Sequence, residues 1–490
     1  MLAHANDGDI VTALVIAMSE ETSIPAQSIA QSVGAESRMR EFLAAMTDSL
    51  GFERVSTEQV SFSGSGSLPS VFPVSDFAAA AVGSAAVAVA DLVTAAFAQQ
   101  PRITVDRRLA SLWFAFSVRP IDWAPPAPWD PIAGDYQTAD GWIRLHTNAP
   151  HHRAAALAVL GGANDKETVA ALVSRCKTEE LEAAIVGNNG CAAAMRSHAE
   201  WRSHPQGQAV AQEPLIDARA TADFAKPLML TTPSRPLQGV RVLDLTRVIA
   251  GPVATRFLAG LGADVLRIDP PIWDESALVV DVTLGKRCAR LDLRDAADRA
   301  RFVDLLRHAD ILVHGYRSDA LSNLGLDARQ RREIRPGLVD VSLDAYGWTG
   351  PWRHRRGFDS LVQMSAGIAE AGMRALSRDR PTPLPVQALD HATGYILAAA
   401  AIRGLRERLE TGRGFEGRTS LARVAELLVR APVTEMKGHL GHAQESDWSD
   451  EVEATGFGMA HRLRPPVTIT NAPLRWDLPA AKLGSAQPTW

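Results

Sequence analysis

Between residues 240 and 343, short apolar runs alternate with helical patterns, and no other feature of the chain restricts its fold as strongly. The spacing predicts a strand at 240–245, a helix at 252–261 and strands at 264–268 and 288–293. A helix at 295–308 follows, with further strands at 309–315 and 337–343. Strands apolar on both faces and separated by helices pack as a mostly parallel sheet covered on both sides, so the expected class is α/β.

The first turn of this unit, "RVIAGP", limits the ligand. A dinucleotide site carries three spaced glycines, whereas only Gly251 lies in this turn, although Asp269 stands about where a ribose-binding acid would. Gly251 is expected to let the chain turn sharply, and Pro252 suits the first position of a helix. The N–H groups of residues 252–255 would then face out of the sheet edge and could meet an anion without a glycine-rich loop. A dehydrogenase is disfavoured.

Composition removes other classes. A chain of 490 residues, 46% hydrophobic and 22% charged, has room for two or three globular domains with substantial cores. With 51 basic and 56 acidic residues the net charge is −5, which favours neither nucleic acid nor an anionic membrane as partner. Cys176, Cys191 and Cys288 are scattered without metal-ligand spacing, so no zinc site is expected, and a reducing compartment, the cytoplasm, is. The N-terminal apolar stretch lacks a basic region before it, so no secretory leader is expected. Residues 77–98 are long enough to span a bilayer, but they are mostly alanine with Asp91 inside and read as a buried, close-packed helix.

Residues 1–68 are helix-prone, carry no recognisable chemistry, and end in the linker-like "SFSGSGSLPS". Residues 69–230 contain the alanine-rich helix, a proline-dense connector, and the hairpin "DYQTADGWIRLHT" turning at ADG. Three prolines in 226–239 mark a boundary to a large domain at 231–430, followed by a C-terminal extension at 431–490. An internal echo joins the halves: each has Leu-Pro, an Asp opening an alanine-rich helix, then a Thr-containing strand. Asp76 and Thr104 are 28 residues apart, and Asp390 and Thr419 are 29 apart. This reads as a duplicated unit.

Five ordered blocks carry a more specific signal: "GVRVLDLTRVIAGPVATRFLAGLGADVLRID", "LGKRCARLDLRD", "ADILVHGYRSDALSNLGLD", "PGLVDVSLDAYGWTGPWRHRRGFDSLVQMSAG" and "LDHATGY…ETGRG". In order and spacing they resemble the family III CoA-transferases. The segment 135–210 resembles that family's smaller domain, although here it precedes the large one, so the chain reads as permuted or fused. The resemblance implies a Rossmann-like large domain with a smaller α+β domain N-terminal to it. It implies transfer of CoA from an acyl-CoA to a carboxylic acid through a covalent aspartyl intermediate, with CoA as substrate and no permanently bound cofactor, in a homodimer.

Residue by residue, the resemblance makes Asp390 the nucleophile, opening its alanine-rich helix. Arg247, Val248, Ile249 and Ala250 would line the CoA channel, with Ile249 replacing a glutamine that some members use. Lys286 or Arg287, Tyr316 and Arg356 match CoA-contacting positions, while Asn323 stands where some members have arginine. Phe358 occupies the place of the racemase branch's histidine, which favours transfer; racemisation, or CoA binding without catalysis, are the alternatives. His391 is a neighbouring base pointing elsewhere, Asp76 reads as a helix cap, and "VGNNG" at 186–190 is the nearest candidate for a glycine-rich substrate loop.

Overall fold

The computed structural model describes residues 27–490 apart from 53, 163–164, 226, 273, 276 and 432–438. The N-terminal stretch read for a leader lies outside the described residues. The centre is a seven-stranded sheet. Its order is Lys286–Arg290, Asp264–Asp269, Arg241–Leu245, Ile311–His314, Val339–Asp344, Arg413–Ser420, Asp217–Phe224, with every pairing parallel except the last. From residue 241 onward this is the doubly wound order 3-2-1-4-5-6, and the direction of winding reverses between Arg241–Leu245 and Ile311–His314.

The expected strands and helices of this domain are present, with two local differences. The strand expected at 288–293 is Lys286–Arg290, paired so that Lys286 faces Val265. The helix expected to start at Pro252 is Ala250–Gly260. The sharp turn before it is made by Val248, at φ 65°, a left-handed conformation that costs a β-branched residue energy. Gly251 serves a different need: a Cβ there would lie 2.2 Å from Thr246 Cγ2.

Two helices of matched length form the spine of the molecule, Val74–Phe97 and Ala388–Thr411. They pack against each other, and both are rich in fully buried alanine, Ala78–Ala81 and Ala398–Ala401 among them. The first of them is apolar enough to cross a membrane, but it lies inside the protein core. Both helices are entered alike, through Pro73 (φ −76°, ψ 59°) and Gln387 (φ −76°, ψ 64°), and each carries an aspartate as its third residue, Asp76 and Asp390.

The echo extends to the strands. Val339–Asp344 pairs parallel with Arg413–Ser420, which Asp217–Phe224 joins antiparallel. Val60–Ser63 likewise pairs parallel with Ile103–Asp106, which Val467–Ile469 joins antiparallel. The joining strands are exchanged: the one following the first unit completes the second unit's sheet, and the one following the second completes the first's. Residues 448–469 are therefore woven into the first half rather than appended, and Gly458–Leu463 also pairs with Val118–Pro120.

The smaller unit contains the hairpin Gly134–Gln137 and Trp142–Leu145, closed by Thr138 N–H to Gly141 O at 2.9 Å, with Ala192–Ala194 as its third strand. Its Cys191 and Ala193 pack on Leu361 and Met364 of helix Asp359–Ser365. Buried Glu182 fastens the contact, binding Arg196 at 2.6 Å and, across the junction, Arg355 at 2.8 Å.

Candidate active site

In open α/β sheets, ligands bind beyond the carboxyl ends of the strands where the winding reverses. Here that crevice is bounded by the loop 246–249, after Arg241–Leu245, and by residues 315–317, after Ile311–His314. The loop is braced from beneath. Buried Asp244 accepts hydrogen bonds from Thr246 N–H at 2.9 Å, the Thr255 hydroxyl at 2.6 Å and the Lys286 ammonium at 3.0 Å. Lys286 also donates to the Pro252 carbonyl at 2.9 Å.

This bracing corrects the reading of Lys286 as a CoA contact. It is 1% exposed, burial lowers its ammonium to about 8, and its donors are engaged inside the fold. Arg287 is displaced as well: it lies on the edge strand and grips Asp264, the first residue of its neighbouring strand, at 2.9 and 3.0 Å. That places it at the amino end of the sheet, away from the crevice.

Arg247, Tyr316 and Arg356 do come together. The Arg247 guanidinium donates to Glu275 at 2.8 Å, and its charge acts on the Tyr316 phenol, which burial pushes up to about 12. Arg356 and Arg247 both act on His151 of the smaller unit, whose imidazole is lowered first by burial and then by these two cations. Arg356 also reaches Asn189 Oδ1 at 3.4 Å, so "VGNNG" lies against this group, turned by Asn189 at φ 65°. Buried Ile249 and Ala250 and half-buried Val248 give the loop an apolar lining. Asn323 is exposed and bonds Asp319.

The helix carrying Asp390 seats directly on this loop. A Cβ at Gly394, one turn beyond Asp390, would lie 2.5 Å from the Ala250 carbonyl oxygen. Asp390 is 6% exposed; burial, and then repulsion from the Asp359 carboxylate, hold it well above the usual carboxylate range. His391 faces the first half, its ring stacked 5.1 Å from Phe114, and burial lowers it to about 3. Phe358 is clamped by His146 of the smaller unit, ring centroids 3.7 Å apart. Asp76 is occupied very differently from Asp390: Arg38 and Arg107 each bind one of its oxygens at 2.7 Å.

Phe358 stands out in "GFD" by comparison with the racemase branch, whereas no local pattern marks Asp359 beside it, His146 or His152. A histidine pair six residues apart around a helix start was visible, but its contact with Phe358 spans more than 200 positions of chain.

Comparison with known proteins shows what this part of the chain is similar to. Residues 237–459 match the family model described as CoA-transferase family III. Acetyl-coenzyme A transferase nodX of Hypoxylon pulicicidum is 33% identical over 225 residues, 45% of this chain and 37% of that protein. Acetyl-CoA:oxalate CoA-transferase of Acetobacter aceti is 32% identical over 38% of this chain and 51% of its own length. The crystal structure of Rv3272 from M. tuberculosis is 29% identical, covering 39% of this chain and 55% of that one at a TM-score of 0.36. The chain thus spans between about a third and just over half of the curated relatives it matches. Residues 237–459, just under half of the chain, are thus similar to CoA-transferase family III.

Proposed function

We propose that the protein transfers CoA from an acyl-CoA to a carboxylic acid with Asp390 as covalent nucleophile. The observation that carries this is the position of Asp390, a buried carboxylate beside the crevice that gathers Arg247, Tyr316 and Arg356. An Asp390 oxygen attacks the thioester carbonyl, the C–S bond breaks, and CoA leaves as thiolate from a mixed anhydride. The thiolate then attacks the aspartyl carbonyl and frees the first acid, leaving an aspartyl-CoA thioester. An incoming carboxylate reverses both steps with its own acyl group and regenerates Asp390. Arg247 and Arg356 supply charge for the nucleotide phosphates.

Quenching a mixture of protein and accepted acyl-CoA with borohydride or hydroxylamine is expected to change the mass of the peptide containing Asp390 and not the one containing Asp76. A label on Asp76 alone would move the reaction to the first half. No label with any acyl-CoA, alongside retained CoA, would leave a binding protein.

Phosphate recognition has a separate check. CoA affinity is expected to fall with rising salt and to weaken about tenfold in Arg356→Ala, since one charge-assisted contact is worth about 1.5 kcal/mol. Arg287→Ala should bind as wild type does. Calorimetry giving equal affinities for Arg356→Ala and wild type would remove Arg356 from the site.

A further inference from the structure

The start of the Asp390 helix has no side-chain cap of its own, because Gln387 makes no capping bond. The cap comes from another helix. Asp359, first residue of Asp359–Ser365 and 1% exposed, accepts the backbone N–H of Asp390 on Oδ2 at 2.9 Å. Its carboxylate also takes the Leu389 N–H, and its Oδ1 takes the side-chain amide of Gln363. Gln363 is itself fixed, accepting the Leu384 N–H at 2.7 Å. A formal negative charge is thus locked beside the carboxylate assigned to attack.

We propose that Asp359 is the positioning residue of the Asp390 nucleophile: its grip on the Asp390 backbone fixes where that carboxylate sits, and its charge governs when that carboxylate is an anion. The inference rests on the reading of Asp390 as nucleophile. Attack on a thioester needs an electron pair on an ionised Asp390 oxygen, and a neutral carboxyl lacks the nucleophilicity to expel CoA.

The surroundings give little compensation to two anions. Burial pushes both carboxyls up; for Asp359 the Gln363 amide and the Asp390 and Leu389 N–H groups oppose it, followed by the charge of Arg144 from Trp142–Leu145. His146, stacked on Phe358, and His391, stacked on Phe114, are each lowered to about 3 by burial and are neutral near pH 7. Two buried carboxyls so placed do not both ionise until a pH well above the range of an isolated one.

The test follows single-turnover labelling of the Asp390 peptide from pH 4 to 9. In wild type, the rate should rise along an acid limb well above the ordinary carboxylate value of about 4. Asp359→Asn and Asp359→Ser keep an acceptor for the Asp390 N–H and remove the charge. Both should shift the limb down by at least about one unit, which a merely structural role would not do. A wild-type limb near the ordinary value, or limbs unmoved in both variants, would overturn the proposal. If near-ultraviolet circular dichroism shows that the variants have lost their fold, the wild-type limb alone decides. Absence of Asp390 label at every pH is a different result, which overturns the nucleophile reading itself and this inference with it.

Discussion

Asp390→Asn is expected to lower CoA transfer by a factor on the order of 10⁴ or more while leaving the fold and CoA affinity intact, the loss seen when a covalent nucleophile is removed. The structure makes the contrast clean. Asp390 is the third residue of its helix, not the cap, and the bond holding it in place uses its backbone N–H, which asparagine keeps. The substitution removes the charged oxygen and almost nothing else. Steady-state kinetics beside a thermal melt check the result, and turnover within tenfold of wild type would show that the reaction runs elsewhere. Asp76→Asn should behave in the opposite way, with turnover retained and stability reduced, because Arg38 and Arg107 lose their common partner.

The second large effect is on stability. Asp91→Ala is expected to cost about 3–5 kcal/mol, because it strands the buried Arg406 guanidinium that Asp91 binds at 2.8 Å across the two spine helices. Glu410, 3.3 Å from Arg406 and partly exposed, compensates only in part. The double change Asp91→Leu with Arg406→Met should recover most of the loss, since apolar replacement of a buried pair avoids its desolvation cost. Urea denaturation of the three variants measures this, and a single variant within about 0.5 kcal/mol of wild type would show that the pair contributes nothing.

Much of the second half was legible locally. Strands such as Arg241–Leu245 and Ile311–His314 carry apolar residues on both faces and are bounded by turn residues, so their places follow from neighbours in sequence. The strand Lys286–Arg290 was misplaced by two residues for the complementary reason. Its first two positions are charged, and they belong in the sheet because Asp264 meets Arg287 from the adjacent strand and Asp244 meets Lys286 from the strand beyond it. Val248 hid the turn in the same way, since the left-handed residue was sought at the nearest glycine.

The site was half legible. Arg247, Tyr316 and Arg356 lie far apart in sequence, and strand order brings their loops to one crevice. Lys286 and Arg287 looked equally suitable as cations, and only burial and the end of the sheet they occupy set them apart. Asp359 was unreadable because its importance lies in a hydrogen bond to a backbone group 31 positions away.

The exchanged strands have a consequence for the making of the protein. Ile103–Asp106 is synthesised early but has no antiparallel partner until Val467–Ile469 emerges, and the helix Val74–Phe97 waits for Ala388–Thr411. At about 5–20 residues per second, that interval is on the order of tens of seconds. Throughout it the nascent chain displays a long apolar helix, apolar enough to cross a membrane, that only neighbouring elements of the first half can cover. Trigger-type chaperones and membrane-targeting factors compete for such a segment. Yield in a foreign host should therefore depend more on elongation rate and chaperone supply than on the stability of the finished fold.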